Sequence, residues 1–255
     1  MKQYLLRTKS KTVTGCQHIQ EDGEVDLRAN YISLVIATLL NICDDQITSG
    51  MPEYIASCQT YEGGLAPFPF AEAHAGYTYC GVAALAILGR LDAINIPQLL
   101  EWLINKQCDL EGGFRGRTGK VVDSCYSHWL GACFSILNKY KKSGDGKFMF
   151  NFDNSLLFDQ EGLQKYVLWA CQDKSGGLMD KPGKHVDYYH MNYSLLGFNS
   201  STRCDVSDSE GGFNEICTVF GSNDDNLLVE VDPVYAVPMN RFVNMKSHFD
   251  GLGPL

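Results

Sequence analysis

Three stretches of this chain read alike: Ser57-Cys-Gln-Thr-Tyr-Glu-Gly-Gly-Leu65, Asn105-Lys-Gln-Cys-Asp-Leu-Glu-Gly-Gly-Phe114 and Ala170-Cys-Gln-Asp-Lys-Ser-Gly-Gly-Leu178. Each has a glutamine, a short spacer, a glycine pair and a large apolar residue. A glycine ahead of the apolar residue allows the positive φ that a sharp reversal needs. The pairs begin at Gly63, Gly112 and Gly176, 49 and 64 residues apart. That interval holds two helices and a turn, so the chain reads as an all-α array of helical hairpins. The period exceeds that of a tetratricopeptide. Such hairpins close into a barrel or stack as an open solenoid, and periodicity does not choose between the two.

The stretches between the breaks have helical patterns. Tyr31 to Ile42 suits a helix buried on most faces. Pro52 opens Glu53 to Gln59, and Asn95 with Pro97 opens Gln98 to Gln107. Gly76 to Leu91 is small and apolar, as in a tightly packed helix. Further helices are expected over Ser124 to Tyr140, over Gln164 to Gln172, and from the end of the Asp180-to-Tyr189 loop to Phe198. Residues 1–26 are mixed and polar, 141–153 form a polar connector, and 199–230 read as an irregular acidic loop.

With 255 residues, 45% of them apolar and 20% charged, the chain can bury one large core or two small ones. A net charge of −9 argues against a nucleic-acid surface. Ten cysteines without a secretory signal read as reduced thiols of a cytoplasmic protein. The longest apolar run, Tyr31 to Cys43, is too short to span a bilayer.

The chemistry gathers between Glu111 and Trp129, where a glycine-rich loop with Arg115, Arg117 and Lys120 runs into Asp123-Ser-Cys125 and then an aromatic helix. Two residues apart on a regular helix, Asp123 and Cys125 would diverge by about 200°. They share a metal only if Asp123 lies in the loop or at the N-cap, with Cys125 in the first turn. His190 is the candidate third ligand, and such a set suits zinc with one position open. A capping Asp, a core Cys and a packed His would equally explain the three. Arg117, Lys120 and His74 are candidates for an anion. Nucleoside triphosphate is not indicated, because Gly119-Lys120 is followed by Val121 and the Walker spacing fails. Tyr31, Tyr77, Trp129, Tyr189 and Tyr193 recur beside these segments, and core packing accounts for any one of them singly.

Taken together, residues 24–31, 61–81, 111–129 and 176–190 closely resemble the protein prenyltransferase β subunits, and Asp232-Pro-Val-Tyr235 is similar to a segment near the C-terminal helix of that family. The Asp-Lys-Pro-Gly-Lys…Asp-Tyr-Tyr-His form resembles the farnesyl-transferring branch. The resemblance implies an α-α barrel, here one domain over 1–255 without the family's first helices. It implies zinc on Asp123, Cys125 and His190, and diphosphate on His74, Arg117, Lys120 and Tyr126, the last three with catalytic duty. It places Asp180 at a magnesium ion. Arg28, Tyr31, Tyr77, Cys80 and Trp129 match the isoprenoid cavity, Tyr189 a residue beside the peptide, and Tyr193 a bulky position that shortens the cavity. The implied activity is transfer of farnesyl from farnesyl diphosphate to Cys-a-a-X proteins, with an α subunit as partner. Geranylgeranyl transfer and a non-catalytic helical scaffold are the competing readings. Ser124, His128, Ala75 and the stretch Ala66 to Phe70 depart from the family pattern.

Overall fold

A computed structural model describes residues 1–143, 157–204, 215–216 and 219–252. They form two compact units, Met1–Trp102 with Val234–Leu255, and Leu103–Pro233. Helices dominate both. The first unit holds α1 (Lys2–Arg7), α2 (Leu27–Leu39), α3 (Asp45–Thr48), α4 (Met51–Ser57), α5 (Ala75–Ile87) and most of α6 (Ile96–Ile104). The second holds α7 (Tyr126–Ser143), α8 (Gln160–Lys165), which widens into a π turn over Tyr166–Ala170, and α9 (Tyr188–Ser201). Beyond these lie the antiparallel pair β1 (Arg203–Cys204) and β2 (Glu215–Ile216), then α10 (Asn223–Asn226) and β3 (Val231–Asp232). The chain returns to the first unit with β4 (Val237–Pro238) and α11 (Met239–Gly251).

Several boundaries differ from the sequence expectation, and caps explain most of them. α2 starts at Leu27 rather than Tyr31, because the Asp26 carboxylate accepts the Arg28 N–H at 2.8 Å. α8 starts at Gln160 rather than Gln164, on the Asp159 cap. α9 runs past Phe198 to Ser201. The segment expected as an irregular loop over 199–230 therefore begins inside a helix and carries short elements. Residues 205–214 and 217–218 of it, and most of the 141–153 connector, lie outside the described residues.

Two of the three repeated junctions share one construction. Gln59 Nε2 donates to the carbonyls of Gly63 and Asn95, both at 3.0 Å, and the Asn95 N–H donates back to Gln59 Oε1 at 2.8 Å. Gln107 repeats this with Gly112 and Asp159, all three bonds at 2.8 Å. Asn95 and Asp159 then cap α6 and α8. The glutamine thus staples its own turn to the start of the helix after next, Gln59 to α6 past α5 and Gln107 to α8 past α7. The glycine pair divides its work differently from the expectation. Positive φ belongs to the first member in all three junctions, at Gly63, Gly112 and Gly176, and to the second only at Gly177. The second member makes room for a ring instead: a Cβ on Gly64 would sit 2.6 Å from the Trp102 indole, and one on Gly113 would sit 2.6 Å from the Tyr166 ring.

A fourth junction lies within residues 1–26. The Lys9–Gln17 bridge stands where Gln59–Leu65, Gln107–Phe114 and Gln172–Leu178 stand in the others. Lys9 takes the place of the glutamine, donating from Nζ to the carbonyls of Gln46 at 2.6 Å and Ile47 at 3.2 Å. Gly15, with φ +79°, abuts the carbonyl of Gly50. From each junction the chain runs nine residues to a capping side chain at the entrance of a long helix: Gln17 to Asp26, Leu65 to His74 and Leu178 to Asp187, which are N-caps, and Phe114 to Asp123, which caps the turn leading into α7. In three of these the cap N–H donates to the carbonyl nine residues back, at 3.0, 3.1 and 3.4 Å. The repeat therefore delivers a polar capping side chain to the same register each time, and three of those four residues are Asp.

Candidate metal centre

Asp123 is held by that register, and its carboxylate accepts the Cys125 N–H at 2.8 Å. α7 begins at Tyr126, so Asp123 lies in the loop and Cys125 in the turn that leads straight into the helix. This is the arrangement in which two residues so spaced can face one point. His190 arrives from the next register. Asp187 caps α9 by accepting the His190 N–H at 2.8 Å, and its other oxygen takes the His190 Nδ1–H at 2.6 Å. With the proton fixed on Nδ1, the Nε2 lone pair faces Asp123 Oδ1 at 3.4 Å. The ligand atoms of Asp123, Cys125 and His190 all lie within 4.8 Å of one another. Burial, with Asp123 beside it, holds the Cys125 thiol far above its ordinary range. Only a cation at the same point makes thiolate beside carboxylate favourable there, so the donor set fits a divalent metal.

Two further groups border this point within the second unit. One is the loop 115–122, closed by the Arg115–Val122 bridge. Tyr126 lies over it: a Cβ on Gly116 would come within 2.3 Å of the phenol oxygen, so the absence of a side chain there lets the ring settle on the loop. Burial first, then Cys125 and Asp123, push the Tyr126 hydroxyl up to about 12, with Arg117 pulling the other way. Lys120 is exposed and Arg117 half-buried. The other group is aromatic. Trp129 and Tyr193 pack at 4.3 Å between centroids, Tyr189 and Tyr193 at 4.7 Å, and Trp129 Nε1–H donates to the Tyr189 hydroxyl at 3.3 Å. His128 stands behind them, buried, and burial drives it down to about 3, so it is a neutral packing ring at physiological pH.

A family model described as the prenyltransferase alpha-alpha toroid domain matches residues 1–237. The chain belongs to that family. Its relatives include the protein farnesyltransferase subunit beta of Schizosaccharomyces pombe, 38% identical over 240 residues, which cover 94% of this chain and 62% of that protein. The protein of the same name from Saccharomyces cerevisiae is 41% identical over 234 residues, covering 90% of this chain and 51% of that protein. The chain thus spans between half and two thirds of the length of these two relatives. Among solved structures, the Candida albicans protein geranylgeranyltransferase-I complexed with GGPP superposes with a TM-score of 0.66 over 92% of this chain and 61% of that one, at 21% identity. That likeness supports the toroid fold.

Within this prenyltransferase domain, the remaining expected residues are engaged with neighbouring groups. In the first unit, Arg28 is clamped bidentate by Asp26 and also meets Glu24, with its guanidinium 5.7 Å from the Tyr77 ring centroid. Tyr31 and Tyr79 share a contact at 3.1 Å, and both donate to the Val234 carbonyl. Cys80 is buried. His74 caps α5 by accepting the Gly76 N–H on Nδ1 at 3.1 Å, which leaves Nε2–H as the donor. In the second unit, the Asp180 carboxylate pairs with Lys181. A cleft of about 770 Å³ bounded by Glu111, Val121, Tyr166, Trp169 and Lys181 contains none of the three candidate ligands. Two features escaped the sequence reading: Asp187 as the partner that orients His190, and Gly116 as the seat of Tyr126. The nine-residue spacing from each junction to its cap was a signal for the first. Among the described residues, eight cysteines are free thiols, and no helix is long and apolar enough to cross a membrane.

Proposed function

We propose that the chain is the β subunit of a protein farnesyltransferase, carrying farnesyl from farnesyl diphosphate to the cysteine of C-terminal Cys-a-a-X sequences, in the cytoplasm and with an α subunit. The observation that carries this reading is the convergence of Asp123, Cys125 and His190 at a helix end to which Tyr126 also ties the cationic loop. The names of the relatives point the same way. The three side chains would hold one zinc. Bound there, zinc supplies a Lewis acid that keeps a substrate thiol ionised at neutral pH. Arg117 and Lys120 offer fixed positive charge to the diphosphate as it leaves. The Tyr126 hydroxyl keeps its proton at neutral pH and donates a hydrogen bond to the same growing charge. His74 is in the tautomer that donates from Nε2 to an anion. Trp129 and Tyr193 give the isoprenoid an apolar wall, worth roughly 25 cal/mol per Å² buried. Magnesium at Asp180 would take the place that Lys181 now holds.

The deciding experiment combines the chain with an α subunit, labelled farnesyl diphosphate and a Cys-a-a-X peptide. Zinc-dependent transfer of label is the expected result. Neither zinc uptake nor transfer would retire the reading in favour of a helical scaffold. Two predictions follow from particular contacts. Asp187→Ala removes both the cap of α9 and the bond that orients His190, so zinc affinity should drop by about 10- to 100-fold; competition with a chromogenic chelator measures it. Tyr193→Thr opens the wall beside Trp129, so use of geranylgeranyl diphosphate should rise relative to farnesyl diphosphate. A wild-type chain that already prefers the longer donor would contradict the farnesyl assignment.

A further inference from the structure

The third ligand is 65 residues from the second in sequence, and α7 and α9 alone do not fix where their first turns stand relative to each other. Ser124, between Asp123 and Cys125, is fully buried and makes two bonds to the other ligand-bearing segment. Its N–H donates to the Asp180 carbonyl at 2.8 Å, and its hydroxyl donates to the Met179 carbonyl at 2.7 Å. The Asp180 carbonyl also accepts the Tyr166 hydroxyl at 3.3 Å and the Cys171 thiol at 3.7 Å. From Met179 the chain pairs with Val186, and the next residue, Asp187, orients His190 through both carboxylate oxygens. Val122, Tyr166, Cys171 and Met179 pack into one buried apolar cluster around these bonds, which keeps water from competing for them.

We infer that Ser124 and Tyr166 are positioning residues, a latch that holds the two ligand-bearing segments in register and so sets how tightly the centre takes up its metal. This rests on the metal reading above. Neither side chain is a ligand. Each acts through the backbone of Met179 and Asp180. Ser124→Ala deletes one hydrogen bond and leaves the Met179 carbonyl buried without it. Tyr166→Phe keeps the ring that fills the space over Gly113 and deletes only the hydroxyl. Ser135→Ala is the control, since it removes an equivalent hydroxyl-to-carbonyl bond on the same helix, to Gly131 at 3.3 Å, away from the latch.

The test uses the full chain produced with an α subunit and measures Zn²⁺ affinity by chelator competition, together with the absorption spectrum of the Co²⁺-loaded protein. Ser124→Ala should weaken zinc by about tenfold and Tyr166→Phe by a smaller factor, because Asp180 keeps the Ser124 N–H. Both should alter the Co²⁺ ligand-field bands, while Ser135→Ala leaves affinity and spectrum at wild-type values. If Ser124→Ala fails to fold, Tyr166→Phe decides alone. Wild-type affinity and spectrum in both latch variants would overturn the inference, as would an equal loss in Ser135→Ala. A wild-type chain that takes up no zinc would overturn the metal reading and the latch with it.

Discussion

On the proposed function, Cys125→Ala is expected to take up no zinc and to drop by at least about 10³-fold in peptide farnesylation, several kcal/mol of barrier. Farnesyl diphosphate should still bind. The separation follows from the layout of the second unit. Cys125 faces Asp123 and His190, whereas Arg117 and Lys120 belong to a loop whose shape is set by the Arg115–Val122 bridge and the packing of Tyr126 on Gly116. Removing one sulfur leaves a carboxylate and an imidazole, too few donors to hold the ion against buffer. The same site sets a pH dependence for the wild type. Burial and Asp123 keep the free thiol protonated well above neutrality, so zinc must displace that proton on entering. Uptake should therefore release a proton and tighten as pH rises. Metal analysis, a fluorescent-analogue binding assay and proton release in weak buffer are the measurements. Full zinc content in Cys125→Ala would remove the residue from the centre.

The hairpin array was legible because the core of each junction is local: Gln59 and Gln107 bond a glycine carbonyl of their own turn, although the helix caps they also hold, Asn95 and Asp159, lie 36 and 52 residues on. The helices themselves read less accurately at their starts. A pattern reading starts α2 and α8 one turn late, at Tyr31 and Gln164, and α9 two residues late, because the capping Asp26, Asp159 and Asp187 stand ahead of the apolar pattern. The junction at Lys9 was hidden for a different reason. An ammonium reaching the carbonyls of Gln46 and Ile47 replaces a glutamine amide, Cys16 replaces the second glycine and Gln17 the apolar residue, so Gly15 alone survives of the motif although the bridge is intact. Composition of the strip 111–129 suggested Asp123 and Cys125 as ligands, yet spacing alone set them on opposite sides of a helix. What brings them to one face is the cap bond from Cys125 N–H to Asp123, a three-dimensional fact with no sequence period. The role of Asp187 needed the fold as well, because its partner His190 becomes informative only once Nε2 is seen to face Asp123.

Gly112→Ala should be strongly destabilising, and Gly119→Ala gives the comparison that explains why. Both glycines have a left-handed backbone, with φ +75° and +72°. An alanine there costs about 1 kcal/mol on conformational grounds alone. At Gly119 the new methyl meets nothing within 4 Å, so the conformational cost is the whole effect. At Gly112 it would lie 2.5 Å from the carbonyl oxygen of Gly162 and 2.7 Å from its carbon. Those atoms belong to the first turn of α8, which Asp159 caps and Gln107 staples to this same turn. Backbone held from both sides cannot withdraw as a flexible side chain would. The total should reach roughly 2–4 kcal/mol, the conformational cost plus the ~1–3 kcal/mol typical of overpacking. Relief by moving α8 would also carry Tyr166 away from the Asp180 carbonyl, so zinc affinity should fall in Gly112→Ala and stay level in Gly119→Ala. Urea midpoints followed by helical circular dichroism give the first comparison and chelator competition the second. Equal midpoints for the two variants would show that the close approach of Gly112 to Gly162 is not what fixes the junction.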